Sequence, residues 1–463
     1  MPVVVLLADG LRADTLRRAI GDGNLPAMSL LLQRGGLYEV TSAFPSVTGP
    51  AYTPFLLGRF PGAVGLPGLR WFDRTRRVCS FPGYSRSYVG HEMRAADSDL
   101  DPAAPTIFEM VPGSAAAMTI ITRGLPRSRR LMSLTPGSAL RAMATHFGGS
   151  VDAWLDVDRQ TSRTVVRAAR DGATPFLFAA FMGVDKISHA RGQDDPAVTG
   201  ALRIMDETVA RLLELPPRDS LRVWIASDHG HSPVTRHDDL QRAIATQGHR
   251  TMAHPWVHGR ADVAVMVSGN AMAHIYTELG RRSRPAWRDL AARWAALAQW
   301  LAQRDSIDLL MIPQDRGSAL VSSRAGGEAT IRVRRSRFSY DAGDGDPLGV
   351  GASLSDASAE EAHEATRATD YPDSIVQIAN LAACERSGDI ILSATRGWDF
   401  RERYEPIPHV SSHGALHRDH MLVPLLLDMP VARIPRRTAD VMPSALQVLG
   451  VTPPTALDGQ SFL

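Results

Sequence analysis

VVVLLADG, at residues 3–10, joins a run of apolar residues to an aspartate and a glycine. The apolar run at 2–8, which ends at Asp9 and Gly10, predicts a strand that is buried on both faces, as in a parallel sheet. The apolar runs at 176–182 and 222–226 repeat this pattern, and each leads directly into polar residues. Open α/β sheets place their functional sites beyond the carboxyl ends of parallel strands. We therefore expect the polar residues after these three runs to meet at one edge of one sheet.

The polar segments combine carboxylates with histidines. VDKISH at 184–189 and SDHGHS at 227–232 each place a carboxylate and an imidazole within metal-ligand spacing, and SSHG at 411–414 adds a further histidine. Such nitrogen and oxygen donors suit divalent metals, and a pair of metals is typical of hydrolases that clamp both the attacking and the leaving oxygen. The six candidate ligands are Asp9, Asp185, His189, Asp228, His229 and His413.

Each candidate also has an ordinary structural explanation. Asp9 and Gly10 are typical of a turn, and Asp185 and His189 would form an i,i+4 pair on an exposed helical turn. Asp228 would belong to a loop that ends a strand. The metal-site hypothesis therefore depends on all the segments together, because no single one of them is specific.

The distribution of basic residues adds a clue. Of the 51 lysines and arginines, 50 are arginines, and the only lysine is Lys186, directly after Asp185. A biased genome explains the arginines, but it does not explain where the exception lies. An ammonium is a compact charge, whereas a guanidinium is a wide planar fork, so a crowded metal site favours lysine. Lys186 is either a substrate-binding cation or a surface residue on the same helical turn.

A hydrolase of this kind also needs a nucleophile, and FPSVTGPAYTPFLLGRFPGAVG at 44–65 supplies a candidate. Thr48 precedes Gly49 and Pro50, and a helix is expected to begin near Ala51. A hydroxyl at this position would meet the positive end of the helix and, with a bound metal, would become nucleophilic. The alternative is an ordinary helix N-cap. Two neighbouring hydroxyls, at Ser46 and Thr53, compete for the same role.

Composition excludes several classes of protein. The 463 residues carry a net charge of +2, so no overall field would attract a nucleic acid or a membrane surface. Two cysteines give no disulfide framework, and no apolar run approaches the length that spans a bilayer. The apolar start is too short for a secretory signal. These observations predict a cytoplasmic protein that acts on a small molecule.

The alternation of strand and helix patterns predicts an α/β sandwich, in which helices cover both faces of a central, mostly parallel sheet. The chain is long enough for more than one domain. We expect residues 1–235 and 385–463 to form the catalytic core, with 236–384 as an inserted subdomain that shapes the substrate site. Further elements are predicted as follows: helices at 26–32, 286–303 and 438–450, strands at 262–277 and 389–393, a two-stranded ribbon at 318–339, and a loop with one exposed helix at 340–372.

The motifs resemble those of the alkaline phosphatase superfamily, and within it the type I phosphodiesterase/nucleotide pyrophosphatase branch. Five segments match in the family's order, and the tail at 438–462 is similar as well. The matching segments are ADGLRAD (8–14), FPSVTGPAYTPFLLGRFPGAVG (44–65), FMGVDKISHARG (181–192), SDHGHS (227–232) and SSHGALH (411–417).

The resemblance implies how the ligands are shared between two metals. One metal would take Asp185, His189 and His413. The other would take Asp9, Asp228 and His229, with Thr48 as its nucleophilic ligand. The family's usual metal is zinc, which suits these donors, and manganese is the alternative.

The chain departs from the family pattern next to the nucleophile. Diesterases of this branch usually carry asparagine three residues after it, followed by histidine, whereas this chain has Ala51 and Tyr52. The missing phosphoryl contact would come from a backbone N–H near Gly49, from the Tyr52 hydroxyl or from Lys186, or the site would have no such contact. The sulfatase branch is disfavoured because its Cys/Ser-x-Pro-x-Arg motif is absent, and Thr48 disfavours the phosphoglycerate mutase branch, which uses serine.

The sequence therefore predicts a two-metal hydrolase that forms a phospho-threonine intermediate and prefers small phosphodiesters. The alternatives are a phosphomonoesterase, a phosphonate monoester hydrolase, or a metal-binding member without hydrolytic activity. Neither a nucleic-acid polymer nor a membrane is expected as a partner, and the oligomeric state is open. Histidines close to the ligands in sequence are candidates for an outer shell or a proton relay: His231, His409, His417 and His420.

Overall fold

The first of two large sheets forms the centre of the molecule. The structure, a computed structural model, describes residues 1–76, 85–132, 145, 150–216, 221–254, 260–401 and 409–463. Five neighbouring strands of this first sheet run parallel, Leu422–Leu427 runs antiparallel to its neighbours, and the edge strand Gly36–Thr41 pairs with it. The order across the sheet is Gly36–Thr41, Leu422–Leu427, Arg222–Ala226, Val3–Ala8, Phe176–Phe181, Ala115–Ala117, Arg130–Leu131.

Helices cover both faces of the first sheet, because its central strand is apolar on both sides. Val4, Leu6 and Ala8 pack in one core, against helices that include Ala13–Gly21 and Pro196–Leu213. The alternate residues of the same strand pack in a second core on the opposite face, with the helices Thr53–Leu57 and Val441–Val448. The α/β sandwich predicted from the apolar runs is confirmed.

The second sheet has nine strands and is almost entirely antiparallel. The single strand predicted at 262–277 is wrong: two antiparallel strands are joined by a turn at Gly269 and Asn270, both of which have positive φ. The prediction treated two apolar runs as one and passed over the turn-forming residues Ser268, Gly269 and Asn270 between them. The order across the sheet is Thr251–Ala253, Val263–Ser268, Met272–Tyr276, Ile390–Ala394, Ile307–Asp315, Ser318–Ser323, Gly327–Arg334, Arg337–Asp341, Leu354–Ala357.

Two other expectations need correction. The segment 340–372 contains the strand Leu354–Ala357, and its helix Ala359–Arg367 is amphipathic rather than simply exposed, since it buries Ala362 and Thr366. The helix predicted at 438–450 is an α-helix only at Val441–Val448 and begins with one 3₁₀ turn. The ribbon at 318–339 is present as a hairpin.

The second sheet takes most of its strands from residues 251–357, within the proposed insertion. One of its inner strands, Ile390–Ala394, comes from beyond residue 384, so chain order and sheet membership differ there. The division of the chain at residues 235 and 384 stays a prediction.

Shorter elements complete the description. A three-stranded sheet joins Gly397–Asp399, Ser232–His237 and Ser411–Ser412, and a hairpin joins Arg70–Phe72 and Ser85–Ser87.

Within the described residues, no helix is long and apolar enough to cross a membrane. The remaining α-helices are Pro26–Arg34, Ala96–Asp99, Ile107–Met110, Val151–Arg170, Gly183–Arg191, Leu240–Ala245, Trp287–Ala302, Ser374–Ala383 and Arg418–Met421, and the 3₁₀ turns are Pro50–Tyr52, Gly62–Val64, His91–Ala95, Arg127–Arg129 and Thr438–Asp440.

Candidate metal centre

The candidate ligands come together because three neighbouring parallel strands end at one edge of the first sheet. Asp9 directly follows Val3–Ala8, and Asp228 and His229 follow Arg222–Ala226 on one side of it. The helix Gly183–Arg191, which carries Asp185, begins just after the strand on the other side. The expected meeting of these segments at the carboxyl ends of the strands is present.

The first group of donors surrounds Thr48. Ligand atoms of Asp9, Asp228 and His229 lie within 4.8 Å of one another. The Thr48 hydroxyl is 3.0 Å from Asp9 Oδ1 and 3.1 Å from His229 Nε2. All three side chains of the group are fully buried. This group matches the second set of ligands implied by the family resemblance.

The second group is centred on Asp185. Ligand atoms of Asp185, His229, His231 and His413 all lie within 4.8 Å of one another. The predicted ligand His189 is not one of these four residues, but its Nε2 lies 3.3 Å from Asp185 Oδ1. His231, which the sequence indicated only as an outer-shell candidate, lies inside it.

Three of the histidines are held with Nε2 facing the donors. His189 Nδ1 bonds to the Ser411 carbonyl at 2.9 Å, His413 Nδ1 to the Ser46 carbonyl at 3.0 Å, and His229 Nδ1 to the Gly230 carbonyl at 3.2 Å. A carbonyl oxygen only accepts, so each Nδ1 carries a proton. Each Nε2 is then the atom available to a metal, an arrangement that is usual for metal-binding histidines.

The electrostatics of the groups call for added positive charge. Burial and the neighbouring Asp9 raise the pKa of Asp228 well above its usual range. Burial opposes charge on His229 too, but Asp228 and Asp9 outweigh it and raise the pKa of His229 to about 9. Asp228 Oδ2 is buried without a hydrogen-bond partner. The residues therefore fit divalent metals, which would satisfy that oxygen and displace the His229 proton.

A residue that the sequence did not reveal positions the Asp185 helix. Asp158, on the helix Val151–Arg170, accepts hydrogen bonds from the backbone N–H groups of Met182 and Gly183, both at 2.9 Å. Free N–H groups at a helix start require such acceptors. Asp158 thereby sets the direction in which Asp185 enters the site. No local motif marks it, because it acts from another helix.

Thr48 is the hydroxyl that faces the donors. The rival Ser46 donates to the Ala415 carbonyl at 2.8 Å, and the Thr53 Oγ1 is buried without a partner. Gly49 follows Thr48 with φ +94°, and a Cβ there would come within 2.6 Å of Ile120. Only glycine suits this turn.

Lys186 and Tyr52 both contact predicted ligands. The Lys186 ammonium is 2.7 Å from Asp185 Oδ2, and the lysine side chain is 22 % exposed. Burial disfavours its charge, but Asp185 and Asp9 outweigh that effect and raise the pKa of Lys186. The Tyr52 hydroxyl donates to Asp9 Oδ2 at 3.3 Å, and burial followed by Asp9 raises the pKa of Tyr52 well above 10. Ala51 is fully buried.

The other three histidines predicted to lie near the ligands differ in their positions. His409 lies beside the site, with its ring 4.5 Å from that of His189. His420 is a structural residue: its Nε2 bonds to Ser232 Oγ at 2.9 Å and its Nδ1 accepts from Ala415 N at 3.0 Å. His417 packs against His420, with ring centres 4.0 Å apart.

Solved structures share this fold at low sequence identity. Phosphonoacetate hydrolase from Sinorhizobium meliloti 1021, in complex with phosphonoacetate, superposes with a TM-score of 0.60 at 14% identity, covering 97% of this chain and 96% of that one. Human ectonucleotide pyrophosphatase/phosphodiesterase 5 gives 0.59 at 14% identity, covering 99% and 97%. An inactive threonine-to-alanine form of the murine enzyme in complex with AMP gives 0.57 at 14% identity, covering 99% and 97%.

The sequence itself settles the family. No curated protein sequence matches the chain. The family described as type I phosphodiesterase/nucleotide pyrophosphatase matches residues 3–417, which include every predicted ligand. These residues therefore identify the protein as a phosphoester hydrolase of the alkaline phosphatase superfamily, and it belongs to the type I phosphodiesterase/nucleotide pyrophosphatase family.

Proposed function

We propose that this protein hydrolyses small phosphodiesters with two zinc ions and with Thr48 as the nucleophile. The observation that carries the proposal is the position of the Thr48 hydroxyl, 3.0 Å from Asp9 and 3.1 Å from His229. The hydrogen-bond partners that the structure gives this hydroxyl are both predicted metal ligands, as expected for a nucleophile beside a metal. The murine phosphodiesterase, which shares the fold, is inactive in a threonine-to-alanine form, and its need for a threonine supports the proposal.

The donor atoms indicate how the metals would be held. Asp9, Asp228 and His229 would bind one ion next to Thr48, and Asp185, His189 and His413 would bind the other. Bound zinc supplies positive charge that lowers the pKa of a hydroxyl and stabilises phosphoryl oxygens. Mixed imidazole and carboxylate donors favour zinc, with manganese as the alternative.

The reaction then follows from the chain's own residues. In the first step a bond forms between Thr48 Oγ1 and phosphorus, while the bond between phosphorus and the leaving oxygen breaks. The proton that Thr48 loses is balanced by the proton that the leaving oxygen takes up as it departs as an alcohol. Asp9, which accepts the hydrogen bond from Thr48 at 3.0 Å, orients the hydroxyl for this attack. Water then cleaves the phospho-threonine, restoring the hydroxyl and releasing a phosphomonoester.

Tyr52 supports Asp9 rather than replacing the missing asparagine. Its hydroxyl has a single proton, which is donated to Asp9 Oδ2. Since Ala51 offers no polar group, Lys186 is the side chain best placed to compensate. Its ammonium contacts the predicted metal ligand Asp185, and the side chain is partly exposed. It can therefore also donate a hydrogen bond to a phosphoryl oxygen of a bound substrate.

Exchanging Lys186 for arginine should impair turnover although the charge is kept. We expect kcat/KM of Lys186→Arg to fall about tenfold or more, because a planar guanidinium cannot occupy the place of an ammonium at 2.7 Å from Asp185 without moving that carboxylate. The measurement is steady-state kinetics with an aryl phosphodiester. Arg191→Lys, a reverse exchange on the same helix, is the control. Equal kinetics for Lys186→Arg and the wild type would return Lys186 to a surface role.

The charge of the site predicts which ester is preferred. Two metals and one lysine suit the single negative charge of a diester, whereas a monoester dianion needs additional cations. We expect kcat/KM for an alkyl aryl phosphodiester to exceed that for the matched aryl monoester by about tenfold or more. Side-by-side kinetics with and without a chelator test this order. A tenfold advantage of the monoester would move the protein to the phosphatase side of the superfamily.

A phosphonate hydrolase is the second candidate. The full-length fold likeness to phosphonoacetate hydrolase favours it. Phosphonoacetate and an aryl phosphonate monoester therefore belong in the same kinetic comparison. Turnover of either above that of the diester would select this alternative.

A cytoplasmic location also remains part of the proposal, and fractionation of the source cells tests it.

A further inference from the structure

The geometry points to His231 as an additional protein ligand of the metal that Asp185 and His413 would hold. This inference rests on the proposed metal centre and extends it, because the family resemblance assigns no ligand at that position. It makes a set of four donors on this side of the site: Asp185, His189, His231 and His413.

The first support is the convergence of imidazole nitrogens on one carboxylate oxygen. Asp185 Oδ1 is 2.9 Å from His231 Nε2, 3.3 Å from His189 Nε2 and 3.6 Å from His413 Nε2. Donors bound tetrahedrally to zinc lie about 3.3 Å apart, because each metal–ligand bond is about 2.0 Å. Of the three histidines, His231 is the one nearest to the carboxylate, and its side chain is fully buried.

The second support is the hydrogen bonding of the His231 ring. Nδ1 is 3.1 Å from Ser411 Oγ, and Ser411 Oγ donates its only proton to the Ser232 carbonyl at 3.0 Å. In this arrangement the Nδ1 of His231 carries the hydrogen, and its Nε2 directs a lone pair at Asp185 Oδ1. Two acceptors at 2.9 Å repel each other unless a cation binds both. Three predicted ligands show the same orientation, with Nδ1 bonded outward and Nε2 inward.

The third support comes from the residue beneath the ring. A Cβ on Gly10 would lie 2.8 Å from His231 Nε2 and 3.1 Å from the Asp185 backbone. Any larger residue at position 10 would push the imidazole away from the donors. Gly10 thus allows the close approach of His231 to the site, directly beside the ligand Asp9.

The alternative is an outer-shell role, in which His231 only donates a hydrogen bond from Nε2 to Asp185. The two roles differ in how much zinc affinity is lost when His231 is replaced, since loss of an outer-shell partner typically costs about 10–100-fold in metal affinity. They also differ in distance, because a ligand nitrogen lies about 2.0–2.1 Å from zinc.

The test measures zinc binding rather than turnover. Purified wild type, His231→Gln and the control His420→Gln are stripped of metal and titrated with zinc against a chromogenic chelator. His420 is a matched control because it is equally buried but both of its ring nitrogens are used by Ser232 and Ala415. We expect His231→Gln to weaken one of two zinc sites by more than 100-fold, and His420→Gln to leave both sites unchanged.

A crystal structure of the zinc-loaded wild type gives an answer that does not depend on how the variant folds. We expect anomalous density for zinc about 2.0–2.1 Å from His231 Nε2. A nitrogen–zinc distance beyond about 3 Å, or a loss of affinity below 100-fold in a folded His231→Gln, would overturn the inference while leaving the two-metal proposal intact. A wild type that binds no zinc would instead overturn the proposed function.

Discussion

Thr48→Ala should lower kcat by at least about 1,000-fold, which corresponds to about 4 kcal/mol of activation barrier. Among the residues that the structure describes, Thr48 carries the only hydroxyl that contacts the side chains of both Asp9 and His229, so its loss removes the proposed acceptor of the phosphoryl group. Zinc content should stay at two equivalents, because the carboxylate and imidazole donors are untouched. Thr48→Ser keeps the oxygen and should retain measurable turnover.

A control variant and a labelling experiment accompany this prediction. Thr53→Ala removes a buried hydroxyl without a partner and should keep activity close to that of the wild type. Brief reaction with a labelled diester, followed by acid quenching and peptide mapping, should locate the label on the peptide that contains Thr48. Turnover of Thr48→Ala within tenfold of wild type would exclude covalent catalysis by this residue.

Removal of metal should abolish activity and markedly destabilise the fold. Three buried carboxylates, those of Asp9, Asp185 and Asp228, would then lie close together, with Lys186 and the protonated His229 as counter-charges. A ligand present at 1,000 times its Kd stabilises the folded state by about 4 kcal/mol. With two metals, we expect the melting temperature to drop by several degrees on chelation and to recover when zinc is added back.

Variants at two buried aspartates make this prediction sharper. Asp228→Asn should be less stable than wild type with zinc, yet equally or more stable without it, because the variant removes the repulsion between Asp228 and Asp9. Asp428 is also buried, and burial raises its pKa to about 6. It accepts a hydrogen bond from Val223 N, near the start of the strand Arg222–Ala226, whereas Asp228 follows the end of that strand. Asp428→Asn should therefore change stability equally with and without zinc. A chelator that leaves the melting temperature unchanged would contradict the metal centre.

Much of this site was predictable because strand signals are local. Uninterrupted apolar runs predict buried strands, and the residue directly after such a run must lie at the strand's carboxyl end. Asp9, Asp228 and the helix that carries Asp185 were located in this way. The hairpin at Gly269 was missed because its two buried strands are both apolar and so read as one run, although Ser268, Gly269 and Asn270 between them are turn-forming residues.

Sequence patterns were enough to identify the family, the residue types of the site and the placement of Asp9, Asp228 and the Asp185 helix after buried strands. The fold was needed to show which atoms face one another: Thr48 rather than Ser46 beside Asp9, Tyr52 bonded to that same carboxylate, Asp158 at the start of the Asp185 helix, and His231 within the donors. These contacts could not be predicted because strand order and side-chain orientation depend on segments that are tens to hundreds of residues apart. No local pattern of polarity records those contacts.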